Sequence, residues 1–259
     1  MSKGFSNPAR ISMIRFLTAD LPARHGFFTR QGGVSAGPYA SLNCSFSGGD
    51  DEANVIRNRA SVAAAMGVAP ENLLGLKQVH GNAVIDVDVP WSLHQGPAAD
   101  GFVTSRPGLA LGVITADCAP VLFSDRAGTV IGAAHAGWRG ALAGICEATV
   151  TAMRAKGATS IAAAIGPCIH QESYEVRADL RDAILARDPA DARFFLDGAA
   201  QHWQFDLPGY CAARLENIGV AASILPHDTV GQEENFFSHR RRTLRKQAAI
   251  GHHISVIRL

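Results

Sequence analysis

Two regimes of hydrophobic patterning alternate along this chain. Short runs in which nearly every residue is apolar occur at 108–115 (GLALGVIT), 119–125 (APVLFSD), 129–136 (TVIGAAHA) and 160–166 (SIAAAIG). Runs of that length, bounded by Gly, Pro or Asp, predict strands buried on both faces. Between them lie segments of helical character. Over 51–66, the acids Asp50, Asp51 and Glu52 precede Val55, Arg59, Val62 and Met66 at a rough helical period, and Gly67 and Pro70 end the run. Residues 140–157 predict one helix closed by Gly157, and 177–187 and 208–218 predict two more. The stretches 73–81 (LLGLKQVHG) and 84–89 (VIDVDV) read as short strands around a loop at Gly81, residues 21–50 as a strand and a long Gly/Ser/Pro loop, and 251–259 (GHHISVIRL) as a final strand. Strands and helices are interspersed without a clean βαβα alternation. No GxGxxG follows the first strand and no GxxxxGK[ST] occurs, which disfavours a dinucleotide or P-loop site. The pattern predicts a mixed α/β chain in which no linker divides 1–259, hence a single domain.

Composition changes this picture little. Of 259 residues, 47% are apolar and 18% charged, which suits a folded chain with a sizeable core. A formal net charge of +1 argues against nucleic acid as a partner. The basic cluster Arg240-Arg241-Arg242, with Arg245 and Lys246, reads as a solvated helix or loop, with phosphate binding by one arginine as the rival reading. No signal-like or membrane-spanning apolar run is present, so the expectation is a cytoplasmic protein that does not enter membranes. The five cysteines (Cys44, Cys118, Cys146, Cys168, Cys211) are scattered, without a CxxC, and read as free thiols of which one could work as a thiolate.

Three loops carry candidate chemistry. His80 follows a strand in QVHG, Cys118 sits at the break between two apolar strands in TADC, and His135 ends a buried strand in AAHAGWRG. Two imidazoles and a thiolate are the donors that zinc prefers, and three protein ligands leave a fourth position for water or substrate. An ion so held generates a nucleophile from water near neutral pH. Asp117 or Asp100 could orient a ligating histidine from behind. Spacing alone leaves open the bland alternative of a buried thiol and two hydrogen-bonded core imidazoles. Trp138 and Tyr174 read as packing residues, Cys44, Cys146 and Cys211 as small core residues, and Cys168 as either core or pocket wall.

The ordered blocks FFTRQGGVSAGPYASLN (27–43), LKQVHG (76–81), ADGFVT (99–104), TADCAPVLFSD (115–125), AAHAGWRG (133–140), AIGPCIHQESYEV (164–176), FDLPGYCAARL (205–215) and ENFFSHRR (234–241) resemble, nearly end to end, the YfiH-type family, long described as polyphenol oxidases or laccase-domain proteins. The resemblance implies a four-layer α/β/β/α sandwich with mixed β-sheets. It implies His80, Cys118 and His135 as metal ligands, for zinc first and copper as a second candidate. It also implies activity on purine nucleosides: phosphorolysis of adenosine, inosine, guanosine and methylthioadenosine, and hydrolytic deamination of adenosine. Partners would then be small-molecule nucleosides and phosphate, with the chain a monomer or weak oligomer. Two positions depart from many relatives: Asp228-Thr229 stands where a Cys-Thr pair is common, and His239 where a tyrosine is usual.

A role in catalysis is accordingly expected for Cys118, His80 and His135, with Asp117 or Glu175 as the acid of a deamination. Arg30, beside Gly32-Gly33, is the expected anion-binding arginine, and Lys77, Gln78 and Arg139 flank the ligands as further phosphate contacts. Two rival functions remain. One is an amidase acting on cell-wall precursors, with Cys118 as nucleophile and His135 or His80 as base; the other is a zinc-stabilised interaction module, which would normally use four protein ligands. A copper polyphenol oxidase fits poorly, since a trinuclear cluster plus a separate copper needs paired HxH motifs, and the ten histidines include none.

Overall fold

The computed structural model describes residues 13–259. In chain order the first half contains β1 (Phe16–Leu17), β2 (Arg24–Phe28), α1 (Glu52–Met66), β3 (Leu73–Leu74), β4 (Val84–Asp86), β5 (Gly101–Thr104), β6 (Ala110–Thr115), β7 (Ala119–Asp125) and β8 (Ile131–Ala136). The second half contains α2 (Trp138–Ala143), α3 (Ile145–Ala155), β9 (Ile161–Ile165), β10 (Glu175–Val176), α4 (Ala178–Arg187), β11 (Phe195–Asp197), β12 (Trp203–Phe205), α5 (Leu207–Glu216), β13 (Ala221–Ile224), α6 (His239–Leu244) and β14 (His253–Arg258).

The strands form two main sheets, ordered β1-β2-β14-β6-β3 and β13-β9-β7-β8-β5-β4, and a small sheet β10-β12-β11. Both main sheets are mixed: β3/β6, β4/β5 and β9/β13 pair in parallel, the remaining neighbours antiparallel. Side-chain alternation sorts residues into layers. Phe27, Leu111, Val113 and Ile257 of the first sheet meet Phe102, Leu122, Ile131 and Ala164 of the second. The opposite face of the first sheet, with Phe28, Ile254 and Val256, packs on Val62, Ala63 and Met66 of α1. The outer face of the second, with Val103, Val121, Phe123 and Ala134, packs on Ile145, Val150 and Met153 of α3 and Tyr210 and Leu215 of α5. The layers are therefore α/β/β/α, as expected. Strands covered on both faces need apolar residues at every position, which explains the unbroken apolar runs.

Four sequence expectations differ from what is observed. The helix expected over 140–157 is two helices, because Gly144 takes φ +91, caps α2 and begins α3 at a new angle. The strand expected over 73–81 is confined to Leu73–Leu74; beyond it the only strand-type pairing is the isolated bridge Lys77–Ala98. The basic cluster is not simply solvated: Arg241 is buried, and its guanidinium donates to the carbonyls of Thr229, Val230 and Phe236, closing that loop on itself. The glycines beside Arg30 serve close packing, since a Cβ at Gly33 would stand 2.1 Å from the carbonyl oxygen of Ser41. No helix among the described residues is long and apolar enough to cross a membrane.

Candidate metal centre

The second sheet builds the site. Antiparallel β7 and β8 place Pro120 opposite His135, so Cys118, just before β7, arrives beside His135 at one sheet end. His80 comes from the loop before β4, at φ 60. His80, Cys118 and His135 each offer a donor atom, and these atoms lie within 4.8 Å of one another. Among the described residues this is the one group of three or more His, Cys, Asp or Glu donors so placed. The two imidazole rings meet edge to face, with centroids 4.7 Å apart. Two nitrogens and one sulfur that converge, with one flank open to a pocket, suit a tetrahedral ion with an exchangeable fourth position.

Asp100 organises both histidines. It is fully buried just before β5, and its carboxylate accepts the His135 Nδ1 hydrogen at 2.8 Å. That bond leaves Nε2 of His135 for the cluster and fixes the tautomer. The same carboxylate accepts three successive backbone N–H groups, from Val79 (3.1 Å), His80 (3.0 Å) and Gly81 (2.7 Å), which wraps the His80 loop around one anion. Of the two aspartates considered as orienters, Asp100 does this. Asp117, at φ 98 in the corner between the sheets, instead accepts from the Thr229 hydroxyl (2.6 Å), the Ser238 hydroxyl (3.1 Å) and the Arg240 N–H (2.6 Å). Burial raises the Asp117 carboxyl, with those three donors acting against it. It pins the Cys118 corner to the C-terminal segment.

The thiol and His135 shift each other. Burial pushes the Cys118 thiol up, but the His135 charge and hydrogen bonds from His135 and His80 outweigh it and hold it at about 6. Burial also disfavours the His135 imidazolium, yet the Cys118 thiolate and Asp100 raise it to about 9. Without metal the pair is therefore thiolate–imidazolium at neutral pH. Alkylation of metal-free protein should rise through an ionisation near pH 6 and stay level from pH 7 to about 8, before His135 loses its proton near 9, rather than show only the midpoint of about 8.5 of an ordinary thiol. Iodoacetamide rate constants against pH check this, and a midpoint near 8.5 would refute the coupling.

The cluster opens into a pocket of about 1040 Å³, at the upper end of the roughly 300–1,000 Å³ common for small-molecule sites. Lys77, Gln78, Asp117, Trp138, Arg139, Tyr174, His239 and Arg240 line it. The other expected site residues separate into two groups. Lys77 and Arg139 are exposed beside the ligands, the Arg139 guanidinium 4.3 Å above the Trp138 ring. Gln78 is occupied at both ends of its amide by the Ile114 backbone, at 2.8 Å each, so it holds the loop on β6. Arg30 does not line the pocket: its guanidinium donates to the carbonyls of Ala40 and Glu233 and lies 4.4 Å from the Phe237 ring centroid. Glu175 also lies outside, exposed on β10, and gives only its carbonyl to Arg240. Cys168 is core. Of the two departures, His239 lines the pocket, whereas Asp228 locks a turn by accepting from Ser173, His170, Val230 and Gly231.

Sequence reasoning missed Arg59 and His252, which also line the pocket. The signal for Arg59 was present, a cation on the apolar stripe of α1; His252 gave none beyond standing next to a buried strand.

The chain matches, over residues 24–259, the family described as multi-copper polyphenol oxidoreductase laccase. It is 40% identical over 239 residues to a purine nucleoside phosphorylase of Deinococcus radiodurans, covering 90% of each chain. It is 39% identical over 224 residues to one of Streptomyces coelicolor (85% of this chain, 90% of the other) and 40% identical over 216 residues to purine nucleoside phosphorylase YfiH of Escherichia coli (82% and 86%). Among solved structures, a Neisseria meningitidis protein superposes with a TM-score of 0.84 at 36% identity, covering 94% of this chain and 98% of that one. YlmD of Geobacillus stearothermophilus does so with 0.85 at 28% identity, covering 98% of each. A match from residue 24 through to the end of the chain, joined to relatives as much as 40% identical over most of their length, makes this chain a member of the YfiH family of laccase-like proteins.

Proposed function

We propose that this chain is a metal-dependent purine nucleoside enzyme of the cytoplasm. Its reactions are phosphorolysis of adenosine, inosine, guanosine and methylthioadenosine to base and ribose 1-phosphate, and hydrolytic deamination of adenosine. The observation that carries the reading is the convergence of His80, Cys118 and His135 on the floor of a nucleoside-sized pocket; three relatives named as purine nucleoside phosphorylases support the substrate class. Zinc suits the two nitrogens and one sulfur, and copper competes for the same donors. When bound, such an ion supplies Lewis acidity and an activated nucleophile. The chain's own residues do the rest. Asp100 keeps both histidines aimed, Trp138 and Tyr174 offer flat walls to a purine, and Lys77 and Arg139 face an incoming anion. Five free cysteines suit a reducing compartment.

The test is release of base and of ammonia from adenosine, with and without phosphate, beside Cys118→Ala. Phosphate-dependent adenine release that disappears in the variant supports phosphorolysis at this site. No turnover of adenosine or inosine under any metal loading rejects the reading.

A second reading draws on one observation: Cys118, His135 and Asp100 stand in the order of a thiol–imidazole–carboxylate triad. That arrangement suits an amidase acting on cell-wall precursors. Chelation separates the two, since a thiol amidase survives it and is lost on alkylation. A multi-copper oxidase finds no second group of donors among the described residues.

A further inference from the structure

In the wall of the same pocket, a buried cation stands without a counter-charge. Arg59, on the inner face of α1, is 8% exposed and lines the pocket. Its guanidinium donates to the carbonyls of Leu73 (3.1 Å) and Cys44 (3.5 Å) and lies 5.7 Å from the Phe46 ring centroid, and among the described residues it has no ion-pair partner. Two carbonyls occupy part of a five-hydrogen fork and leave the charge unbalanced. A desolvated charge without a partner is costly, so such residues are ordinarily paired or face a ligand. Of the two carboxylates that line the pocket, Asp117 belongs to the metal end and Glu71 is exposed at the rim.

Further donors gather around the same segment. Cys44 joins Arg59 to His252, whose carbonyl accepts the Cys44 N–H at 3.0 Å. The buried Nδ1 of His252 has no hydrogen-bond partner. The hydroxyls of Ser45 and Ser47 lie 2.9 Å apart, and one hydrogen suffices for that bond, which leaves the other hydroxyl able to donate elsewhere. Arg59, Ser45, Ser47 and His252 all line the pocket, and the wall from Leu73, where Arg59 is anchored, runs on to His80.

We propose that Arg59, Ser45, Ser47 and His252 form a second subsite that takes a phosphate-class anion, supplied either as inorganic phosphate or as a phosphate ester carried by the nucleoside. The guanidinium fork matches two phosphate oxygens, and the hydroxyl and the unpartnered imidazole nitrogen are the donors available for the others. The proposal rests on the purine nucleoside reading of the pocket only for the identity of what occupies the rest of it; anion binding itself is read without turnover.

The metal-loaded protein is titrated with inorganic phosphate, adenosine and adenosine 5′-monophosphate by calorimetry, beside Arg59→Lys and Ser47→Ala. Lysine keeps the charge but loses the fork, and Ser47 is exposed, so its variant tests the subsite should the Arg59 variant fail to fold. If inorganic phosphate is the occupant, its Kd rises at least tenfold in Arg59→Lys and several-fold in Ser47→Ala, while adenosine binding changes less than twofold. If the nucleoside supplies the phosphate, the monophosphate binds wild type at least tenfold more tightly than adenosine, and that advantage vanishes in the variants. Phosphate and monophosphate binding that is unchanged in both variants, or undetectable in wild type, overturns the subsite. Purine turnover persisting in that case leaves the proposed function standing, whereas Arg59-dependent anion binding without turnover rejects the function and keeps the subsite.

Discussion

Asp100→Asn should weaken metal binding roughly 10–100-fold, the usual cost of removing a carboxylate behind a ligating histidine. The geometry explains why so small a change matters. Oδ1 accepts His135 Nδ1–H and the His80 N–H, and Oδ2 accepts the Val79 and Gly81 N–H groups. An amide has one acceptor oxygen and brings two hydrogens of its own. Set one way, it opposes the two loop N–H groups and loosens His80; set the other way, it opposes His135 and frees its tautomer. Either orientation leaves two donors unsatisfied, at about 1–3 kcal/mol for each one that stays buried. The loop donors are only partly buried, so a stability loss of about 2 kcal/mol is expected. Burial pushes the Asp100 carboxyl up, but the His135 hydrogen bond and the backbone donors outweigh it and hold it below its ordinary value. Its stabilising contribution is therefore full above about pH 4 and is lost as pH falls through the depressed value. The variant should lack that acid-limb dependence. Competition titration with a chelator and urea melts at pH 3–7 measure both effects; wild-type metal affinity in Asp100→Asn would remove Asp100 from the site.

How the site assembles explains what the sequence could and could not convey. His80, Cys118 and His135 are distant along the chain, and as residue types they would equally suit a core thiol and two core imidazoles. The family blocks in which they stand singled them out, and the β7/β8 register, with His135 opposite Pro120, supplies the physical reason that two of them meet. The apolar runs at 108–136 and 160–166 were legible as buried strands because strands covered on both faces need no alternation. Residues whose role depends on what approaches from elsewhere were not legible. Arg30 looked like an anion site because two glycines follow it, yet those glycines admit the Ser41 backbone, and the guanidinium fastens 30–42 to the 233–237 segment. Arg241 looked solvated within a run of arginines, and its burial follows from three carbonyls of a loop that folds back over it.

Gly137 matters to the three ligands through the side chain it does not carry. Gly137, between His135 and Trp138, has φ −72 and ψ 166, a conformation open to any residue. Alanine there meets no backbone penalty. Its Cβ, however, would stand 3.1 Å from Cys118 Sγ and 3.1 Å from His80 Cδ2, closer than ordinary contacts allow. One ligand must give way. Cys118 enters a buried strand and is held by the Asp117 corner, whereas His80 is exposed on a loop, so His80 is the side chain that moves. Gly137→Ala should thus leave two ligands in place and displace the third. The expected result is a metal affinity at least about tenfold lower, on the scale of a disturbed ligand set, with turnover falling in parallel. The folding stability of the metal-free protein should change by less than about 1 kcal/mol, because the crowded neighbour faces solvent and yields. That split distinguishes a site effect from overpacking of the core, which would cost about 1–3 kcal/mol whether or not metal is present. Chelator competition gives the affinity and thermal melts of the metal-free form give the stability. Unchanged affinity would mean that the three donors do not act together, and a large loss of metal-free stability would mean that Gly137 serves the fold rather than the site.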